Sequence, residues 1–83
     1  MAMQERPVLD MLGTYCPIPV IETRRLIHSL SEPLEVDLLT DDPEALIDIP
    51  ALLKREGGAI LAIGDHEPIG WCMTLLLEPP RDV

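Results

Sequence analysis

The spacing of apolar residues in this chain switches between a period of two and a period of about 3.6, and this switching constrains the fold more than any other feature. Alternation predicts half-buried strands, whereas apolar residues three and four positions apart predict helices with one buried face. Glycine and proline stand at the changes of period, where they end one element and permit the next. We predict strands at 7–12, 34–40, 59–65 and 69–78 and helices at 17–30 and 43–56, in the order βαβαββ.

The second predicted helix has a clear start signal and an internal proline. Asp42 is the expected N-cap, and Pro43 stands at the first helical position, where its missing N–H has no intrahelical partner to lose. Pro50 removes a backbone donor from the helix interior, so we expect a kink or a fresh helix start there, with Asp48 as a second cap. Gly57 is the expected end of this helix.

The polar positions of the strands indicate which face of the sheet meets water. Val36 and Leu38 alternate with Asp37, and the last strand alternates in the same way, which places Cys72 on the open face. Both helices are therefore expected to cover the other face of a four-stranded sheet. We predict a single α+β domain (1–83), a two-layer sandwich with a modest core.

Charge and composition exclude several functions. The net charge of −9, from 15 acidic and 6 basic residues, repels a phosphate backbone and disfavours direct binding of nucleic acid. No apolar run approaches the roughly 18 residues of a membrane span, and the N-terminal "MAMQERP" lacks the apolar segment of a secretory signal. We therefore expect a soluble, cytoplasmic protein without a membrane partner. Cys16 and Cys72 are too few and too far apart for a disulfide framework or a zinc site, so free thiols and no metal are expected.

Cys16 stands where the first strand turns into the first helix, in the run "GTYCPIPV". The partial positive charge at a helix N-terminus favours a thiolate, so we expect a lowered pKa for Cys16. Pro17 and Pro19 fit the first helical turn and fix the local backbone, and Gly13 permits the preceding turn. Cys16 is the expected nucleophile.

Two backbone groups near the sulfur are candidates for binding a negative charge. The N–H groups of Ile18 and Val20 lie at the helix start and could donate hydrogen bonds to a thiolate or to a terminal persulfide. The position three residues after Cys16, where thioredoxin-like proteins carry a second cysteine, is Pro19. A mixed disulfide or persulfide on Cys16 would therefore persist until it meets a partner, which suits a carrier better than a reductase.

The face of the first helix opposite its core stripe carries apolar residues and a cation. Ile18, Ile21, Glu22 and Arg25 share this face beside the thiol. Isolated exposed aliphatic residues are ordinary on protein surfaces. The functional alternative is a partner docking patch, in which Ile18 and Ile21 meet an apolar surface and Arg24 or Arg25 meets a carboxylate.

These residues together resemble a known family. The run "LDMLGTYCPIPVIETRRLI", with Gly13 and the Cys16-Pro17-x-Pro19 box, is followed by "DDPEALIDIP" and a terminal strand pair. This combination resembles the TusA/SirA family of small sulfur-carrier proteins over about residues 8–78.

The resemblance implies a fold and a function. The fold would be a βαβαββ sandwich with a mixed four-stranded sheet, similar to the C-terminal domain of initiation factor 3. Cys16 would accept a persulfide sulfur from a donor protein such as a cysteine desulfurase or rhodanese and pass it to an acceptor protein. Relays of this kind lead to tRNA thiolation, cofactor thiolation or sulfur oxidation. No cofactor is implied, and the protein would be a sulfurtransferase only in the sense that the carrier is itself a covalent intermediate.

Two other functions stay open at the level of sequence. One is a regulatory or scaffold module in which Cys16 is a redox sensor or a structural residue. The other is a thiol-disulfide oxidoreductase using Cys16 and Cys72, which requires the two sulfur atoms to lie close together. A cysteine protease is disfavoured because His28 and His66 are poorly placed to act as its base.

Overall fold

The computed structural model describes residues 6–80, and its secondary structure follows the predicted order. The N-terminal segment used above to argue against a secretory signal begins outside these residues. Neither helix within 6–80 has the length and apolar character needed to cross a bilayer. The six elements are β1 (Val8–Asp10), α1 (Ile18–His28), β2 (Leu34–Thr40), α2 (Ala45–Glu56), β3 (Gly58–Asp65) and β4 (Trp71–Leu77).

The four strands form one mixed sheet in the order β1-β2-β4-β3, which confirms the expected architecture. β2 runs parallel to β1 and antiparallel to β4, and β4 runs antiparallel to β3. Because β1 and β2 are parallel, their carboxyl ends meet at the same edge of the sheet. The loop that leads into α1 and the loop that leads into α2 therefore lie side by side.

The core lies between the two helices and the inner face of the sheet. Apolar residues alternate inward along β2 and β4, as the sequence predicts. On the outer face Cys72 pairs with Leu39 across the strands, and the Thr74 hydroxyl donates a 2.7 Å hydrogen bond to Asp37. The buried apolar side chains are Ile27, Val36, Leu38, Ala45, Ile49, Leu52, Leu53, Met73, Leu75 and Leu77.

Helix α1 ends two residues earlier than predicted, at His28 rather than at Leu30. It begins at Ile18, one residue after the predicted start, with Pro17 in the N-cap position and Pro19 buried in the first turn. It ends at His28 because the chain tightens there: the N–H groups of Ser29 and Leu30 donate to carbonyls only three residues back. Its inner face buries Thr23 and Ile27.

Helix α2 runs without interruption through Pro50, so the predicted fresh start is wrong. Asp48 is not a cap, since its own N–H donates to the carbonyl of Glu44 at 2.8 Å inside the helix. Ile49 is buried just before Pro50 and Leu52 just after it, and this packing holds the helix together despite the missing backbone donor.

The predicted N-cap of α2 at Asp42 is two residues too early, because a turn over Pro43 and Glu44 precedes the helix, which begins at Ala45 with Glu44 in the N-cap position. Asp42 still satisfies donors at this helix start. Its side-chain oxygen Oδ1 accepts the N–H of Glu44 at 3.0 Å, and its carbonyl accepts the N–H of Ala45 at 3.0 Å. These bonds satisfy donors that have no partner inside the helix.

The outer strand boundaries differ from the prediction because local turns compete with the sheet. After β1, the N–H of Leu12 donates to the Asp10 carboxylate at 3.1 Å, which bends the chain two residues early. The β3–β4 hairpin is wider than predicted: the N–H of His66 donates to the carbonyl of Gly70, whose φ is 99°. Strand β4 therefore begins at Trp71 rather than at residue 69.

Candidate functional site

Cys16 lies in the loop between β1 and α1, at the edge of the sheet where β1 and β2 end. Its side chain is half-buried and packs against the core, and its thiol is free. The Cys16–Pro17 peptide bond is cis. Gly13 has a φ of 80°, a left-handed conformation that permits the turn as predicted.

Two adjacent carboxylates from the end of β2 hold this loop in place. The N–H of Gly13 donates to Asp41 Oδ1 at 3.1 Å, and the N–H of Cys16 donates to Asp42 Oδ2 at 2.8 Å. Asp42 is buried, and its other oxygen accepts the N–H of Glu44. One side chain therefore fixes both the backbone of Cys16 and the start of α2.

The bonds of Asp41 and Asp42 to the loop are not among the predictions from sequence, which give Asp42 a role only as an N-cap. A signal was present, since two parallel strands connected by a helix bring their carboxyl ends together. The acidic pair directly follows the second of these strands, and the Cys16 loop follows the first.

The surroundings of Cys16 raise the pKa of its thiol, whereas the sequence predicts a lowered pKa. Burial raises the pKa of the thiol to about 11, together with a hydrogen bond to Asp48 and the negative charges of Asp48, Asp42 and Glu44. The predicted lowering of this pKa is wrong because burial disfavours the thiolate, and because Asp48 in the first turn of α2 and Asp42 and Glu44 just before it bring negative charge to the sulfur. In contrast, the N–H groups of Cys16 and Glu44 hold the pKa of Asp42 below its ordinary value.

One of the two predicted backbone donors is already in use. The N–H of Ile18 donates to the carbonyl of Tyr15 at 2.9 Å, so it is not available to a charged sulfur in this conformation. The N–H of Val20 has no hydrogen-bond acceptor among residues 6–80. The role predicted for Val20 stays a prediction.

The predicted outer face of α1 is exposed. Ile18 and Ile21 each have 46% of their surface exposed, and Tyr15, directly before Cys16, has 71%. Arg25 Nη1 lies 3.3 Å from Glu22 Oε2, and Arg24 Nε lies 3.4 Å from a Glu56 oxygen on α2. We call Ile18, Ile21, Arg24 and Arg25 the docking patch.

An open groove of about 460 Å³ extends from the docking patch along the helices. It concentrates cationic side chains on a protein of net negative charge. In this groove His28 Nε2 lies 3.2 Å from Glu56 Oε1. The groove is lined by Val20, Ile21, Arg24, Arg25, His28, Ser29 and Arg55.

The structure does not bring the two cysteines together. Cys16 packs against the core on the helix side, whereas Cys72 lies on the outer face of the sheet, and both thiols are free. Burial raises the pKa of Cys72, and the negative charge of Asp37 adds to this effect. This arrangement gives no support to a disulfide exchange between Cys16 and Cys72.

No acid–base or metal constellation accompanies Cys16 in the part of the chain that the structure describes. The titratable groups that act on its thiol are all carboxylates, and neither histidine is among them. Residues 6–80 contain no group of three or more His, Cys, Asp or Glu side chains arranged to hold a metal ion.

Comparison with known proteins gives consistent matches. The family model described as sulfurtransferase TusA matches residues 8–75. Two relatives share the name "Putative sulfur carrier protein". The one from Archaeoglobus fulgidus is 39% identical over 49 residues, covering 59% of this chain and 64% of the relative. The one from Thermotoga maritima is 29% identical over 68 residues, covering 82% of this chain and 86% of the relative.

A solved structure has the same fold. The SirA-like protein from Desulfitobacterium hafniense superimposes with a TM-score of 0.75 at 22% identity. The match covers 86% of this chain and 96% of that chain.

Proposed function

Because this chain belongs to the TusA family of sulfurtransferases, we propose that it is a sulfur carrier in which Cys16 takes up a persulfide sulfur from a donor protein and hands it to an acceptor protein. The observation that supports this role most directly is the fixed loop. The Asp42 carboxylate accepts a 2.8 Å hydrogen bond from the N–H of Cys16 and so fixes its backbone, while the Cys16 side chain is only half-buried.

The proposed chemistry is an exchange between sulfur atoms. The Cys16 sulfur attacks the outer sulfur of the donor persulfide, a new S–S bond forms at Cys16, and the S–S bond of the donor breaks. The donor leaves as a thiolate and takes up the proton that Cys16 has lost. An acceptor thiol then attacks the outer sulfur on Cys16 and restores the free carrier. Each step forms one S–S bond and breaks another, so the transferred sulfur keeps its oxidation state and the cycle requires no redox cofactor.

No second thiol of this chain lies beside Cys16 to attack a persulfide formed there, and this favours transfer of the sulfur to another protein. Cys72 lies on the far face of the sheet and cannot attack a persulfide on Cys16 without rearrangement of the fold. The loaded sulfur can therefore leave only to an external acceptor. A reducing compartment such as the cytoplasm, where we place the protein, keeps Cys16 available as a thiol.

The docking patch is proposed to seat the partner proteins. Ile18 and Ile21 offer exposed apolar surface beside the thiol, and Arg24 and Arg25 offer cations next to it. A partner surface with an apolar centre and a carboxylate at its rim matches this arrangement. Suitable donors are a cysteine desulfurase or a rhodanese, and the relay would serve tRNA thiolation, cofactor thiolation or sulfur oxidation.

The test is the intact mass of the protein after incubation with a cysteine desulfurase, its pyridoxal cofactor and cysteine. Wild type is expected to gain the mass of sulfur, and dithiothreitol is expected to remove this gain. Cys16→Ser should show no gain, while the matched variant Cys72→Ser should load like wild type. If loading fails with this donor and also with rhodanese and thiosulfate, the carrier function is rejected in favour of a binding module.

A further inference from the structure

Strand β3 forms an open edge of the sheet. It stands last in the order β1-β2-β4-β3 and pairs only with β4. Apart from that pairing, no backbone group among residues 6–80 bonds to the backbone of Gly58–Asp65. The N–H and C=O groups on the outward side of β3 are therefore available to another strand, and such an edge is a template for pairing with a second chain.

The usual protection of an edge strand is mostly missing from β3. Natural edges are blocked by lysine, proline, inward-pointing charges or short length. β3 is eight residues long, and from Gly58 to Gly64 it contains no charged residue and no proline. Its one irregularity is a bulge at Leu61, which stands between the residues that pair with Leu75 and Thr74 of β4.

The helices leave part of the inner face of β3 uncovered. Ile60 and Ile63 lie opposite the buried residues Leu75 and Met73 of β4, so both isoleucines belong to the helix side of the sheet. Ile60 packs against the core, whereas Ile63 keeps 49% of its surface exposed. An apolar side chain on the core side of the sheet is thus left half uncovered at the open edge.

We propose that a second copy of this chain occupies this edge, by antiparallel pairing of β3 with β3 about a two-fold axis. The pairing joins two four-stranded sheets into one continuous sheet. In the register that fits the faces of the strand, Ile60 lies opposite Ile63 of the second copy and Ala59 lies opposite Gly64 of the second copy. The two-fold axis then passes between positions 61 and 62.

The bulge makes this register self-complementary. Residues that lie opposite one another in an antiparallel pair share a face of the sheet. Ile60 and Ile63 are three positions apart and would face opposite sides in a regular strand, but the extra residue Leu61 brings both to the helix side. Each half-exposed Ile63 therefore meets Ile60 of the second copy, while the small residues Ala59 and Gly64 face each other on the outer side.

The charges at the two ends of β3 favour antiparallel pairing of identical strands. Lys54 and Arg55 lie in the last helical turn before the strand, Asp65 ends the strand and Glu67 follows it. None of these four residues forms a salt bridge within residues 6–80. Glu78, beside the start of β3, offsets one of the two positive charges and leaves the other in excess. Antiparallel pairing brings this cationic end to the anionic end of the second copy, whereas parallel pairing brings like charges together.

The proposed interface is small and lies away from the reactive cysteine. A strand of eight residues is about 26 Å long, so we expect a dimer that dissociates in the micromolar range rather than a permanent one. β1 and the Cys16 loop that follows it lie at the opposite edge of the sheet, with β2 and β4 between. Both copies therefore keep their Cys16 loops at the outer edges of the dimer, and the inference does not depend on the carrier function.

The dimer is tested by analytical ultracentrifugation from micromolar to near-millimolar concentration, with a reducing agent present so that no disulfide contributes. Wild type should shift from monomer to dimer. Ile63→Lys places a charge on the inner side of the open edge and should stay monomeric. The matched control Val8→Lys changes a residue of the opposite edge strand that is 57% exposed, and it should dimerise like wild type. A monomeric wild type, or an Ile63→Lys variant that dimerises equally, would overturn the proposal.

The register is tested by cross-linking, which does not depend on how Ile63→Lys folds. In a Cys16→Ser/Cys72→Ser background, one protein carries Ala59→Cys and another carries Gly64→Cys, where an added Cβ meets nothing within 4 Å. A short bismaleimide should link the two proteins when they are mixed, because their thiols lie opposite one another. Either protein alone should link poorly, since its two thiols would be about 17 Å apart. Equal linkage in the mixture and in the separate proteins would reject the antiparallel pairing.

These experiments separate the dimer from the carrier function, because self-association requires no sulfur donor. Persulfide loading of Ile63→Lys should match that of wild type, since the open edge lies away from the Cys16 loop. A wild type that loads with sulfur but stays monomeric would reject the dimer alone, and the β3 edge would then be open to an extended segment of a different protein.

Discussion

Asp42 accepts the N–H of Cys16 at 2.8 Å across 26 positions of sequence, and its second oxygen accepts the N–H of Glu44 at 3.0 Å. A single buried carboxylate thus joins the loop before α1 to the start of α2. The position of the Cys16 backbone relative to the start of α2 is set by this connection, and the consequences can be measured.

Replacing Asp42 by Asn should destabilise the fold in a pH-dependent way. In the amide an NH₂ group replaces one of the two accepting oxygens and cannot accept, so one of the two N–H groups loses its acceptor, and the melting temperature should fall by several degrees at pH 7. The folded protein holds the pKa of Asp42 below its ordinary 3.8, so the contribution of this carboxylate is complete above that value and is lost as the pH falls through the lower folded pKa. The difference from wild type in urea unfolding should therefore shrink on acidification. Glu35→Gln is the control, and a difference that grows in acid would contradict the prediction.

Gly70→Ala should destabilise the protein through the backbone and through a clash. Gly70 has a φ of 99°, and an added Cβ would lie 2.5 Å from the carbonyl oxygen of Thr40. The backbone conformation alone costs about 1–3 kcal/mol, and the clash adds to it. Gly64→Ala is the matched control, because a Cβ there meets nothing within 4 Å. Urea denaturation of both variants checks the prediction, which fails if the two have the same midpoint.

Two isoleucines on α2 should respond very differently to truncation. Ile49 is fully buried, so Ile49→Ala should lower the free energy of unfolding by about 2–5 kcal/mol. Ile47 lies two positions earlier with 70% of its surface exposed, and Ile47→Ala should change stability by less than about 1 kcal/mol. Chemical denaturation measures both. Comparable losses at the two positions would mean that the packing face of α2 is wrongly assigned.

Ile21→Glu should impair sulfur transfer without lowering the melting temperature. The substitution places a negative charge in the apolar part of the docking patch, where it would be desolvated by a partner. We expect at least a tenfold loss in the second-order rate of persulfide loading, equivalent to about 1.4 kcal/mol of binding. Leu61→Glu is the control, since Leu61 is 48% exposed on β3, close to the 46% of Ile21. A loading rate that is the same in both variants and in wild type would contradict the docking role of the patch.

Most of the fold could be predicted from the sequence because short-range patterns determine it. The bounds of β2 are those predicted, and the alternation in β2 and β4 gave the correct buried face. The predicted interruption at Pro50 is wrong because helix propensity describes only the local free-energy cost of a proline. The burial of Ile49 and Leu52 against the core stabilises the helix through tertiary contacts, which propensity does not include.

The site could be predicted only in part because its electrostatics arise from contacts between distant segments. Cys16 and its helix start are visible in one short run of sequence. The carboxylates that raise its pKa come from the start of α2, and the helix N-terminus alone suggested the opposite sign. Their approach follows from the parallel pairing of β1 with β2, which a local pattern does not encode.

The same parallel pairing means that the chemistry of Cys16 is not portable. Grafting the run "GTYCPIPV" onto another strand-to-helix junction would transplant the thiol and its prolines without the acceptor that orients the cysteine backbone. A working transplant would have to carry the neighbouring strand and the Asp41-Asp42 pair as well. For protein engineering, the smallest transferable unit is therefore the whole βαβ half of the domain with the beginning of α2, rather than the short run that first draws attention.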